Sequence, residues 1–236
     1  MSETNSWLHR LTRLGLFLTM GAMMNASSAT SMNWKEEVLL HDENKLTVER
    51  SQNLGSYPAI ESREREAIDE TLSFTNPYTK QVVTWKTSFQ DNVPDQNGLN
   101  LLVLDIVNSI PYIATYPAGC IAYNKWKRPN PPYVFFKYEN NAWQRISLTA
   151  FPAQLSRTNV IVGGPSQETR KPFYTAAAIR AENQDLQPEY KTILREPFPT
   201  AAGGCPELVR IEGGWASPGG AKSPIPIIPP HPVNKK

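Results

Sequence analysis

YPAGCIAYNKWKRPNPPYVFFKYENNAWQRI, Tyr116 to Ile146, holds one of the chain's two cysteines, a cationic run, a cluster of prolines and two of the six tryptophans. Its second half decides the fold class. YVFFKY and WQRIS are rich in aromatic and β-branched residues and flank the turn ENNA, which reads as a β-hairpin. Pro129, Pro131 and Pro132 fix φ and keep the approach to that hairpin extended and free of helix. Before them, Trp126 stands among Lys125, Lys127 and Arg128, which suits a loop better than an alternating strand. An exposed indole amid cations can stack on a sugar or an aromatic face, or anchor a protein partner. The competing reading tucks the indole under the loop. Tyr123, Lys125, Trp126, Lys127 and Arg128 are the candidate binding residues.

Upstream, LNLLVLDIV (Leu99 to Val107) is the most apolar run after the N-terminal segment. Its length and lack of alternation predict a central strand buried on both faces. PYIATY, from Pro111, returns as its neighbour, with the proline confined to the strand start. Trp34 to Arg50 alternates apolar residues around Asp42, Glu43 and Asn44, a second hairpin. Thr71 to Phe74 and Val82 to Phe89 make a third, joined by NPYTK. Residues Ser51 to Asp69 are polar and read as a loop, with at most a turn or two of helix in ESREREAID. Downstream, TNVIVGG (Thr158 to Gly164) suggests a short strand. YTAAAIRAENQDL (Tyr174 to Leu186) predicts a helix, PEYKTILRE a second, and Cys205 to Ile211 a last edge strand. The chain therefore reads as mainly β, a sandwich or partly open barrel with a small helical segment at about 174–195.

Residues 1–29 have the three-part plan of a secretory signal: Arg10 and Arg13, the apolar run Leu14 to Met24, then small residues through Ala29. That run is shorter than the about 20 residues that span a bilayer. A single β-rich domain is expected over 30–212, followed by a Pro/Gly-rich tail over 213–236, disordered or partly polyproline II. Export to a periplasm or beyond implies an oxidising compartment, and two cysteines there suggest a Cys120–Cys205 disulfide. Two buried thiols, or pairing between chains, are the alternatives.

Composition narrows the chemistry. The net charge is +2, and setting aside Arg10, Arg13 and Glu3 of the signal lowers it to +1, which gives no electrostatic case for nucleic acid. Of three histidines, His9 lies in the signal and His231 in the tail, so His41 alone serves the folded part. One histidine and two cysteines supply no zinc set. Phosphate-binding glycine loops, dinucleotide fingerprints and a G-x-S-x-G elbow are absent from the sequence. Asp105, interrupting the apolar strand, is the one candidate for a buried acid, with a satisfied structural carboxylate as the plainer reading. The expectation is an exported, non-enzymatic β-rich module without metal or cofactor, binding an envelope protein or glycan. A hydrolase using carboxylates such as Asp105 and a membrane-tethered assembly factor with an uncleaved N-terminus are the alternatives.

WKEEVLLHDENKLTVERSQ, TLSFTNP and PAGCIAYNKWKRPNPPYVFFKYENNAWQRI together resemble a family of uncharacterised proteobacterial proteins. In those, an EEVLLHDG-type hairpin and a GRPNPPYVFFKY-type segment recur, and the resemblance spans roughly residues 34–155. It implies no activity and no catalytic residues. This chain departs from the family turn at Glu43, where glycine is usual, and glutamate resists the positive φ of a tight hairpin.

Overall fold

The structure is a computed structural model, and it describes residues 31–58, 63–90, 98–199, 204–211 and 214–218. The segments read as an export signal and as a tail beyond residue 218 lie outside the described residues.

Two sheets face each other, and the fold is mainly β as the alternation predicts. Sheet 1 is built from β1 (Ser31–Leu39), β2 (Lys45–Pro58), β3 (Arg65–Thr75), β4 (Val82–Ser88) and β9 (Phe173–Tyr174), in the order β4-β3-β2-β1-β9. All its pairs are antiparallel except β1 with β9. Sheet 2 is a meander of β5 (Leu99–Val107), β6 (Ile110–Pro117), β7 (Val134–Glu139) and β8 (Ala142–Ile146), and neither sheet closes into a barrel. The core between them takes Val38, Val48, Leu72, Phe74 and Trp85 from one sheet and Leu101, Leu104, Ile113 and Phe136 from the other. That interdigitation defines a β-sandwich.

Turn chemistry sets the registers. Asn140 and Asn141, both at positive φ, join β7 to β8, and Asn108 and Ser109 do the same for β5 and β6. Two consecutive positive-φ residues match the twist of the flanking strands. Glu43 does sit at φ 66°, in the left-handed region that favours glycine. The hairpin tolerates it because Asp42 accepts hydrogen bonds from the amide and side chain of Asn44, bracing the turn.

Strand β5 is buried on both faces, as its composition predicts. A bulge after Leu101 inserts one residue, so Leu101 and Leu104 both face the inter-sheet core while Leu102 and Val103 face outward. There a second apolar layer forms with Ala114, Tyr133, Phe135, Phe151, Leu155 and Ile193, which buries sheet 2 on its far side as well.

Several expectations fail, each for a stated reason. Ser51 to Asp69 is not a loop: β2 runs on to Pro58 and β3 begins at Arg65. The buried face of these strands carries Arg50, Gln52 and Glu70, so its inward positions look like surface to a hydropathy reading. Thr158 to Gly164 is not a strand, because side chains bind its backbone in place of a neighbouring strand. The predicted long helix shortens to α2 (Ala176–Glu182), capped by the Thr175 side chain accepting from the Ala178 amide, and PEYKTILRE to the single turn α3 (Pro188–Lys191). Gly119–Lys125 forms a helix, α1, in a stretch where none is predicted. The expected last strand is β10 (Val209–Ile211), and it pairs with β11 (Gly214–Ala216), in residues where a tail is predicted.

The inner face of sheet 1 has a charged centre. Arg50 is fully buried and donates to Glu36, to Glu70 and to the Ile161 carbonyl. Its guanidinium also lies 5.0 Å from the centroid of the Trp34 ring. Burial alone would lower the Arg50 pKa, but Glu36 and Glu70 outweigh it and hold it above its ordinary value. Glu36 accepts from the Ile161 amide and Gln52 donates to the Gly163 carbonyl, while Asn183 donates to Val160 and accepts from Val162. Asn159 begins the same segment and bonds Leu102, Leu104 and Leu39 main-chain groups, which covers the open edge of β5. Residues 159–163 thus cross the sandwich with their peptide groups held by side chains of sheet 1, by Asn183 at the end of α2 and by the main chain of β5.

Candidate functional site

The predicted binding residues gather around α1, more inward than the sequence suggests. Tyr123 is buried, and Arg128 places its guanidinium 5.0 Å from the Tyr123 ring centroid. Trp126 caps α1 and packs edge-on against Phe136, ring centroids 5.7 Å apart, with the Arg145 guanidinium 5.2 Å from its ring. The indole is partly buried against the inter-sheet core. Lys125 is half-buried at the helix end and Lys127 is exposed, at positive φ. The tucked arrangement of Trp126 is the one realised.

Arg128 and Asn124 instead grip the returning C-terminal chain. Arg128 donates to the carbonyls of Cys205 and Pro206, and Asn124 donates to Pro206 and accepts from the Leu208 amide. Cys120, at the second position of α1, is disulfide-bonded to Cys205, with Cα atoms 5.2 Å apart and a sequence separation of 85. The bond therefore lies where the sequence predicts it, and neither cysteine is free. It anchors residues 204–208 beside α1.

The other chemically distinctive place joins two residues that the sequence considers separately. Asp105 lies on the outward face of β5, and His41 in the β1–β2 turn. Asp105 accepts from the His41 amide at 2.8 Å and contacts the imidazole Nδ1 at 2.7 Å, with its side chain only 4% exposed. It also accepts from the Ile106 amide. Burial raises the Asp105 pKa, and the hydrogen bonds from His41 and Ile106 only partly offset that rise. Because the carboxyl is an acceptor at every contact, Nδ1 carries the hydrogen and Nε2 is left on the opposite edge of the ring. The pair lines a cleft of about 360 Å³ whose walls also include Glu43, Ser156, Arg157 and Arg180. Among the described residues neither arginine is in an ion pair.

A broader groove of about 430 Å³ on sheet 1 is lined by polar residues including Lys35 and Glu49. Those two pair at 2.7 Å across its floor, so the charge there is satisfied within the protein. Sequence reasoning found Asp105 and His41 one at a time but not their pairing. Their separation of 64 residues carries no local signal. Arg157 and Arg180 were not singled out, since an arginine in a polar segment looks the same whether or not a cleft lies beneath it.

Among the described residues no cluster of three or more His, Cys, Asp or Glu side chains is placed to hold a metal, and no helix is long and apolar enough to cross a membrane. No protein-family model, curated protein or solved structure matches the chain.

Proposed function

We propose that this protein is an exported β-sandwich module that acts by binding in a cell envelope. The observation that carries the reading is the Cys120–Cys205 bond. A structural disulfide persists where the surroundings are oxidising, and here it closes the chain around α1 without any free cysteine left over. The sequence plan of residues 1–29 and the resemblance of residues 34–155 to uncharacterised proteobacterial proteins point to the same compartment, though the resemblance brings no activity with it. Envelope proteins and glycans are the partner classes that fit such a location. Fractionation of cells expressing the full chain, with intact-mass measurement, tests the proposal. A periplasmic chain that begins near Thr30 and takes up no thiol reagent before reduction is expected. An intact chain from Met1 in the cytoplasm with two reactive thiols overturns it.

A hydrolase is the second reading, favoured by the His41–Asp105 pair in its cleft. A buried carboxylate that orients an imidazole is the arrangement a general base needs. Turnover of an ester, amide or glycoside that vanishes in H41Q, with unchanged unfolding, would move the function to this reading.

A further inference from the structure

We infer that the His41 cleft is a binding site for an anionic group, a carboxylate or phosphate carried by the ligand of this module. Three chain segments far apart in sequence meet at one opening: the connection after β8 brings the Arg157 guanidinium, α2 that of Arg180, and the β1–β2 turn the His41 imidazole. The arginines have no acidic partner among the described residues, and a guanidinium fork matches the two oxygens of a carboxylate or phosphate. Asp105 contributes by position rather than by contact. A carboxylate needed only to brace a turn would satisfy the His41 amide, yet Asp105 also holds the ring at 2.7 Å. That second bond fixes the face of the imidazole and leaves Nε2 as the polar atom available for a ligand.

The groups around His41 are mixed in sign. Asp105 faces it from β5, Asp42 and Glu43 from its own turn, and Arg157 and Arg180 from across the cleft. The Tyr78 hydroxyl is held on Asp42 at 3.3 Å, from the β3–β4 turn. Among the described residues, Glu43 is the one acid on the cleft wall besides Asp105. It opposes an anion, so the two guanidinium groups carry the attraction.

The inference rests on the binding reading above, and its test uses the full chain with its disulfide intact. The His41 ring signals, assigned by their loss in H41Q, are followed by NMR during titration with inorganic phosphate and, separately, with acetate. Sodium chloride holds ionic strength constant in both arms. A saturable shift with either anion is expected. R157Q/R180Q should weaken it by about tenfold or more, and R157K/R180K should retain most of it. Both arginines are exposed, so these variants leave the core packing alone. Saturation by phosphate alone identifies a phosphate ligand, and saturation by acetate a carboxylate. Shifts no different from those in chloride overturn the inference, as does saturation unchanged in R157Q/R180Q. A bridged, exported chain with a silent cleft removes this site and leaves the export reading standing, whereas a cytoplasmic chain that saturates does the reverse.

Discussion

Replacing Arg50 with methionine isolates the charged centre of sheet 1. Methionine is close in length and unbranched, so it fills the same space with little strain. What it removes is charge: Glu36, with no exposed side-chain surface, and Glu70, at 3%, are left facing one another without a counter-ion. The Ile161 carbonyl loses its donor as well. Breaking a buried ion pair by deleting one member costs about 3–5 kcal/mol. For a chain of this size that corresponds to a fall in Tm of about 6–20 °C. The companion variant E36Q/R50M/E70Q keeps acceptor oxygens for the Trp34, Gln52 and Ile161 donors but buries no charge. It should be less damaging than R50M, by about 2 kcal/mol, because the uncompensated carboxylates are gone. Urea unfolding followed by tryptophan fluorescence measures both. A cost below about 1 kcal/mol for R50M, or a triple variant less stable than the single one, would refute the assignment of Arg50 as the neutralising group.

Three further outcomes follow from the geometry. E43G should stabilise the β1–β2 hairpin by about 0.5–1 kcal/mol, since glycine removes the left-handed strain at φ 66° at a smaller entropic cost; a lower unfolding midpoint would count against it. C120S/C205S should cost about 2–4 kcal/mol, below a chain-entropy ceiling of about 5 for a separation of 85 residues, and hydrogen exchange should rise first in residues 204–211. Asp105 supplies a pH signature. Its pKa is raised in the folded state, so the native protein holds that proton more tightly than the unfolded chain. The resulting stability is fully present below the ordinary carboxylate range and is lost as pH rises through the raised value. The stability of the wild type relative to D105N should therefore fall as pH rises above the ordinary carboxylate range, and a relative gain with rising pH would contradict the burial argument.

The sandwich was legible because its hairpins advertise themselves through alternation and turn residues. Trp34 to Arg50, the Asn140–Asn141 turn and the continuous apolar run of β5 each carry a local signal. The Cys120–Cys205 pairing was legible for a different reason, since two cysteines leave little choice. What the sequence hides is polar and non-local. β2 beyond Arg50 and the start of β3 look like loop because Gln52 and Glu70 occupy inward positions, and only their bonds to Arg50, to one another and to Gly163 explain them. Trp126 looked like an exposed anchor because its neighbours are cationic, yet Arg145, well downstream, lies against its ring. The cleft assembles a turn, a strand, a connection and a helix, and no pattern at any single period can report that.

The crossing of residues 159–163 has a consequence for the order in which this chain can fold. Arg50 and Glu36 find main-chain partners 111 and 125 positions further along. A nascent chain that has reached only β4 therefore holds an ion cluster with nothing to close it, beside an apolar face with no second sheet to cover it. Contacts so distant in sequence also delay folding through loop-closure entropy. The N-terminal hairpins should thus stay open until the second half of the polypeptide arrives. A chain with that property remains threadable for as long as it is incomplete.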